Sequence, residues 1–119
     1  MINIKKLLVA TILLVSHQLF SVQAAEENKK YDKYNVEVFK TPSCGCCYGY
    51  VLFLEEEKFK VKQTDMRSLH SIKQKYNIPV EMQSCHTTIM GKYFIEGHVP
   101  FEAVNKLLKE QPDIDGIAL

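Results

Sequence analysis

The 119-residue chain is predicted to be an α/β protein with a four-stranded mixed sheet and flanking helices. Short segments with the residue pattern of strands alternate along the chain with longer segments whose apolar residues recur at helical spacing. A two-residue hairpin signal, Gly91-Lys92, lies between the last two predicted strands. Hydrophobic residues make up 46% of the chain, so one compact domain with a real core is expected rather than disorder.

The first half of the predicted domain has the pattern of a βαβ unit. Residues 36–39 alternate in polarity and meet Thr41-Pro42, which predicts a strand that runs into a turn. A helix is predicted from Cys47, and its apolar face comprises Tyr50, Val51 and Leu54. Residues 59–62 alternate again and predict a second strand. Parallel pairing of these strands is expected, because a helix supplies the crossover that parallel strands need.

The second half has the pattern of a helix, a β-hairpin and a last helix. Apolar residues at helical spacing predict a helix near residues 69–76, with Asn77 and Pro79 as stop signals. Residues 87–90 and 93–96 predict the two strands of the hairpin. Pro100 suits the first turn of the last helix. A βαβ unit followed by a hairpin and a helix is the thioredoxin-like arrangement.

Residues 1–24 have the features of a secretory signal peptide. Lys5 and Lys6 precede an apolar run over residues 7–15, and Val22-Gln23-Ala24 offers small residues before a cleavage site. This run is shorter than the about 20 apolar residues of a membrane span, so no stable membrane insertion is expected after cleavage. We predict a cleaved leader (1–24), a flexible lead-in (25–33) and one domain (34–119), exported to a bacterial periplasm.

The charge balance gives no indication of a nucleic-acid partner. The formal charge of the full chain is +1, and loss of Lys5 and Lys6 with the leader leaves 13 basic and 14 acidic residues. Such a balance supplies no basic surface for a phosphate backbone. In an oxidising compartment, four cysteines point to disulfides, to catalysis or to metal binding.

Three of the four cysteines are crowded together where the first strand meets the first helix: Cys44, Cys46 and Cys47. Cys44 and Cys47 form a Cys-x-x-Cys pair at a predicted helix N-terminus, which stabilises thiolates. That pair by itself would suggest a disulfide oxidoreductase. Cys46 argues against this interpretation, because a third thiol can attack any disulfide that its neighbours form. Three thiols on one turn suit a soft metal ion better.

The distant Cys85 is expected to complete the site. In the thioredoxin arrangement the loop before the third strand packs against the Cys-x-x-Cys motif, so Cys85 and the adjacent His86 should reach the other thiols. Cu(I) is the leading candidate, and bridging thiolates would let four cysteines hold more than one ion. Zn(II) is the second candidate. His98, just before the last helix, is expected either to support the site without binding metal or only to pack.

Two other interpretations stay open. The protein could be a periplasmic thiol–disulfide oxidoreductase that uses Cys44 and Cys47, with Cys85 as the resolving thiol. It could instead be a disulfide-stabilised binding module, although a Cys44–Cys47 bond closes a short loop that constrains little unfolded chain. An oxidoreductase should tolerate Cys46→Ser and a metal cluster should not. The sequence leaves open whether the protein acts as an enzyme.

Three motifs, in this order, resemble the CopG family of periplasmic copper-resistance proteins, which is distinct from the plasmid repressor of the same name. The motifs are Thr41-Pro42-Ser43-Cys44-Gly45-Cys46-Cys47, Ser84-Cys85-His86-Thr87 and Ile95-Glu96-Gly97-His98-Val99-Pro100. The resemblance covers roughly residues 34–119. It implies a thioredoxin-like fold, copper binding through the four cysteines, and a role in copper tolerance beside other periplasmic copper-handling proteins. A redox role toward copper is also implied.

Overall fold

The computed structural model describes residues 30–119, so the predicted leader and most of the predicted lead-in lie outside the described residues. Residues Tyr34–Leu119 form one compact unit. Within the described range, no helix is long and apolar enough to cross a bilayer. The elements in chain order are β1 (Val36–Lys40), α1 (Gly45–Glu56), β2 (Val61–Asp65), α2 (His70–Lys75), a short 3-10 turn (Val80–Met82), β3 (His86–Met90), β4 (Tyr93–Glu96), α3 (Phe101–Glu110) and β5 (Gly116–Ala118).

The strands form one mixed sheet in the order β2-β1-β3-β4-β5. β1 pairs in parallel with β2, as expected for a βαβ unit, and antiparallel with β3. β3 and β4 form the predicted antiparallel hairpin, and β4 pairs in parallel with β5. The α/β class with a mixed sheet and flanking helices is therefore confirmed.

The predicted number of strands, four, was one too few. β5 has three residues, Gly116–Ala118, and so short a segment shows no alternation that could be recognised in the sequence. Its pairing with β4 is non-local: the Phe94 amide donates to the Asp115 carbonyl at 3.0 Å, and the Leu119 amide donates to the Glu96 carbonyl at 3.1 Å. Residues 116–118 therefore form a strand because they pair with the edge of β4, and not because of their own sequence pattern.

Helix α1 begins at Gly45, two residues before the predicted start, and Cys44 is its N-cap residue. Its buried residues recur at helical spacing and are Cys47, Tyr50, Val51 and Leu54. Neighbouring residues lie about 100° apart around a helix axis. Cys46 therefore turns outward and is exposed, whereas Cys47 is buried in the core.

A second part of the core lies around the β3–β4 hairpin. Ile78, Ile89 and Phe94 form a buried cluster, and Phe39 and Tyr76 pack against it. Ile89 and Phe94 are cross-strand partners, so their side chains project from the same face of the sheet. This packing anchors β3 and β4, the two strands next to the cysteine loops.

The antiparallel pairing of β3 determines which loops meet. All five residues of this central strand are buried. Its first residue, His86, lies opposite Lys40 at the end of β1, and Thr87 lies opposite Glu96 at the end of β4. The loop after β1, the loop after β4 and the residue before β3 therefore lie at the same end of the sheet.

Candidate metal centre

The four cysteines meet at this end of the sheet. Cys46 Sγ lies 3.4 Å from Cys44 Sγ and 4.0 Å from Cys85 Sγ. Cys47 Sγ lies 3.5 Å from the carbonyl oxygen of Cys85. The separation between Cys85 and the α1 cysteines is thus within the about 6 Å that shared ligation or disulfide exchange requires. One ligand atom from each of the four cysteines lies within 4.8 Å of the others.

Cys44 and Cys47 form a disulfide in this structure, whereas Cys46 and Cys85 are free and exposed. The sequence argument had disfavoured this bond because Cys46 could scramble it. The Cα atoms of Cys44 and Cys47 are 5.3 Å apart, which is a normal disulfide separation. One turn of helix α1 brings the two residues together, and the neighbouring free thiol remains in position to exchange with the bond.

The spacing of the four sulfur atoms fits a shared metal once that disulfide is reduced. Two sulfur ligands of one ion, each at about 2.3 Å, lie no more than about 4.6 Å apart. The four cysteine sulfur atoms lie within 4.8 Å of one another, so they need to move only slightly to bind one ion together. An all-sulfur donor set favours a soft ion such as Cu(I) or Zn(II) over Mg²⁺ or Ca²⁺.

His86 is fully buried beside Cys85. Its Nδ1 atom lies 3.6 Å from Cys85 Sγ, although adjacent residues of a strand project to opposite sides. Its Nε2 atom is buried and has no hydrogen-bond partner among the described residues. Buried ring nitrogens are normally satisfied, so an unpartnered nitrogen in the residue next to Cys85 fits a site for an electron-pair acceptor.

The surroundings of His86 keep its imidazole neutral. Burial lowers its pKa from 6.5 to about 4; the nearby His98 and Lys73 act in the same direction, and the backbone of Gly97 partly offsets them. A neutral imidazole has the lone pair that a metal ligand requires. His86 is therefore ready to donate to a metal at neutral pH without first losing a proton.

His98 lies at the exposed edge of the same group. Cys85, His86 and His98 each place one ligand atom within 4.8 Å of the other two. His98 follows β4, whose end lies beside the start of β3, and this pairing brings the two imidazoles together with ring centroids 5.0 Å apart. The position of His98 is compatible with direct ligation as well as with the supporting role expected from the sequence.

Tyr50 was predicted to lie on the apolar face of the first helix, and the structure places its ring against both imidazoles. Its ring centroid lies 4.8 Å from that of His86 and 5.3 Å from that of His98. Its hydroxyl donates to the Val99 carbonyl at 3.1 Å, and burial raises its pKa well above the ordinary value. Tyr50 thus remains a neutral phenol that orients both rings. Its helical spacing from Cys47 was the sequence signal for this position.

An open groove leads away from the site. Its volume is about 480 Å³, and it is lined by Cys46, Gly49, Tyr50, Phe53, His98, Val99 and Pro100. Cys46 and His98 are exposed, so a dissolved ion or a small ligand can reach both from this side. The buried Cys47 and His86 form the inner part of the same site.

Comparison with known proteins identifies the family. The family model "Protein of unknown function, DUF411" matches residues 82–119, and no curated protein sequence matches the chain. Two solved structures described as copper resistance protein CopG are each 34% identical to it. Form 2 has a TM-score of 0.67 and covers 71% of this chain and 68% of its own; form 1 has a TM-score of 0.66 and covers 71% and 66%. The chain therefore belongs to the CopG family of copper resistance proteins.

Proposed function

We propose that this protein is an exported copper-binding protein that holds Cu(I) through Cys44, Cys46, Cys47 and Cys85 and serves copper tolerance. His86 supplies a nitrogen ligand on the buried side of the site. The convergence of four sulfur atoms from two distant segments, within 4.8 Å of one another, is the observation that carries the proposal. Membership of a copper resistance family supports copper as the metal.

The arrangement allows more than one copper ion to be held. Thiolate sulfur can bridge two ions, and Cu(I) accepts soft ligands in preference to hard ones. Cys85 belongs both to the four-cysteine group and to the group with His86 and His98. It is therefore the residue best placed to bridge one ion held by sulfur and a second ion held by imidazole nitrogen.

We also propose that the cysteines of this site reduce copper. Two Cu(II) ions can each take one electron from the thiolates of Cys44 and Cys47, which gives two Cu(I) ions and the Cys44–Cys47 disulfide. Cys44 and Cys47 are close enough to form the disulfide that this step produces, with Cα atoms 5.3 Å apart. Cys46 and Cys85 remain free thiols and would retain Cu(I) after the step, together with His86.

A thiol–disulfide oxidoreductase is the second candidate function. The observation in its favour is the Cys44–Cys47 disulfide itself, which lies where helix α1 begins. A substrate thiolate that attacks this bond would form a mixed disulfide with one of the two cysteines and release the thiolate of the other. This function needs no metal, and reductant-driven turnover on a disulfide substrate would distinguish it from copper binding.

The proposed place of action is the periplasm, with the leader at residues 1–24 removed. In this oxidising compartment the four cysteines can exist either as thiols or as disulfides. Other exported copper-handling proteins are the proposed partners, because Cu(I) bound by thiolates passes between proteins by exchange of ligands.

The test is a competition titration with a Cu(I) chelator under anaerobic conditions. Reduced wild-type protein should hold copper at a measurable number of ions per chain. Cys46→Ser and Cys85→Ser should each lower that number or the affinity, since each removes a ligand from the shared set. The matched control is Ser43→Ala, at the exposed position just before Cys44, which should bind as wild type does.

Two results would overturn the proposal. If Cys46→Ser and Cys85→Ser both matched wild type in affinity and stoichiometry, the four-thiol site would be wrong, and the oxidoreductase would become the better interpretation. If reduced wild-type protein bound Zn(II) in the presence of excess Cu(I), the choice of metal would be wrong although the site would stand.

A further inference from the structure

A buried ion pair lies behind the Cys85 loop, and the metal site described above does not use it. Lys73 of α2 forms a salt bridge with Glu96 of β4, and their side chains are 7% and 0% exposed. Withdrawing two charges from water is costly, and apolar residues of the same size often give equal or greater stability. Stability alone therefore does not explain this pair.

The Glu96 carboxylate is held on several sides. Its Oε1 atom accepts hydrogen bonds from Lys73 Nζ and, at 2.7 Å, from the backbone amide of Ser84. Its Oε2 atom accepts one from the Thr87 hydroxyl at 2.7 Å, and Lys73 Nζ also donates to Thr87 Oγ1 at 3.0 Å. The carboxylate thus joins α2, β3 and β4 to the loop that carries Cys85.

The Ser84 amide is the important partner, because Ser84 immediately precedes Cys85. The polar contacts of Cys85 Sγ itself are long: 4.0 Å to Cys46 Sγ, 3.9 Å to Ser84 Oγ and 3.6 Å to His86 Nδ1. Such contacts are too weak to set the direction of an exposed side chain. The direction of Cys85 is therefore decided by its backbone, and the hydrogen bond from the Ser84 amide to a charged acceptor is a strong restraint on that backbone.

The other side of the loop is closely packed as well. Gly97 has a φ of +79°, and a Cβ atom there would lie 3.2 Å from Ser84 Oγ and 3.0 Å from the Leu119 carbonyl. The residue that follows Glu96 thus has no side chain at the point where the Ser84 side chain approaches. Glu96 and Gly97 together enclose the loop from two directions.

We infer that Glu96, held by Lys73 and Thr87, is a positioning residue that fixes the Ser84–Cys85 backbone so that Cys85 Sγ faces the cysteines of α1. Position 96 must provide an acceptor for the Ser84 amide. The negative charge of Glu96 strengthens this hydrogen bond, and the positive charge of Lys73 compensates for its burial. The consequence for copper rests on the proposed function, but the consequence for the position of Cys85 does not.

The test measures how often Cys46 and Cys85 meet, with no metal present. In a Cys44→Ser/Cys47→Ser background, these two thiols react with oxidised glutathione to give one Cys46–Cys85 disulfide and two reduced glutathione molecules. The equilibrium constant is an effective concentration of one thiol at the other. To obtain it, the protein is equilibrated in a series of glutathione buffers and its remaining thiols are alkylated. Intact-mass measurement then gives the fractions of the dithiol and disulfide forms.

Two uncharged variants form a matched pair. Lys73→Met with Glu96→Gln removes both charges but keeps a side-chain oxygen that can accept from the Ser84 amide. Lys73→Met with Glu96→Leu removes the acceptor as well. We expect the Gln variant to stay within about threefold of the parent and the Leu variant to fall by about tenfold or more, because the Ser84 amide is then left without an acceptor. Equal values for the two variants would overturn the inference.

A copper titration in the wild-type cysteine background separates this inference from the proposed function. The Leu variant should weaken Cu(I) binding no more than Cys85→Ser does, and adding the Leu substitutions to Cys85→Ser should cause no further loss, because both changes act on the same ligand. If the effective concentration falls while copper binding is unchanged, the positioning role stands and the four-thiol copper site fails. Additive losses would instead contradict the positioning role.

Amide hydrogen exchange in the unaltered protein keeps the inference testable if the Leu variant does not fold. The Ser84 amide belongs to an otherwise accessible loop, and a bond to a buried carboxylate should slow its exchange by about 100-fold or more relative to an unstructured chain. The Gln83 amide, which donates to the Val80 carbonyl at 3.2 Å, is the internal comparison. Rapid exchange at Ser84 would exclude Glu96 as the restraint.

Discussion

Cys46 Sγ lies 4.0 Å from Cys85 Sγ although 39 residues separate the two in the chain. Helix α1 turns Cys46 outward, and the antiparallel pairing of β1 with β3 brings the residue before β3 to the same end of the sheet. Neither feature alone would create the contact. The sulfur cluster is therefore a product of sheet topology, and its state depends on the bond between the two remaining cysteines.

Reduction of the Cys44–Cys47 disulfide should control copper binding. The oxidised protein has two free thiols, and reduction with a dithiol should give four in a thiol assay. Full Cu(I) binding should require the reduced form, because thiolate is the ligand. The complex should absorb in the ultraviolet and be colourless in the visible, since Cu(I) is d10. Equal copper per chain in the two forms would contradict this prediction.

The stability of the metal-free protein should fall as the pH is lowered from about 6.5 to about 4. The folded protein keeps the pKa of His86 at about 4, below its ordinary value. The unfolded state therefore binds the proton first, and His86 contributes stability that is complete above its unfolded pKa and is lost as the pH falls through the folded pKa. The loss should reach about 3 kcal/mol, measured by urea unfolding at a series of pH values.

The control for that prediction is His86→Phe, which keeps an aromatic ring in the buried position. Its stability should change much less over the same pH interval, whatever its absolute stability. The carboxyl of Glu37, whose pKa is lowered by hydrogen bonds from Thr64 and Lys62, contributes equally to both proteins. Identical slopes for wild type and variant would show that another group is responsible.

Gly116→Ala should destabilise the protein, because a Cβ there would collide with the Phe94 carbonyl oxygen and ring. Overpacking of this kind costs about 1–3 kcal/mol. The matched substitution is Gly49→Ala in helix α1, where nothing lies within 4 Å of the added atom, and it should stabilise by about 0.5–1 kcal/mol. Thermal unfolding of both variants checks the signs. A neutral Gly116→Ala would mean that β5 is not packed on β4 as described.

Export should leave Ala25, or a residue within one or two positions of it, at the mature N-terminus. Lys5 and Lys6 with the following apolar run carry this prediction. Intact-mass measurement of protein released from the periplasm checks it. Recovery of the uncleaved chain from the membrane fraction would show that residues 1–24 act as an anchor instead.

The local sequence was sufficient for most elements and for the cysteine motif. Residues 36–39 alternate in polarity, residues 87–90 and 93–96 are β-prone runs on either side of a hairpin signal, and Tyr50, Val51 and Leu54 share a helical face. The local sequence therefore predicted β1, β3, β4 and α1. These patterns arise because each element has a buried and an exposed side, and the polarity of each side chain indicates the side on which it lies.

Other features of the site were decided by tertiary structure. The burial of His86, whose Nε2 atom has no partner among the described residues, and the pairing of β5 with β4 each depend on atoms far away in the chain. The same holds for the buried pair of Lys73 and Glu96. Each is a contact between segments whose own sequences show no sign of the partner, so only the folded sheet, which brings the segments together, could determine it.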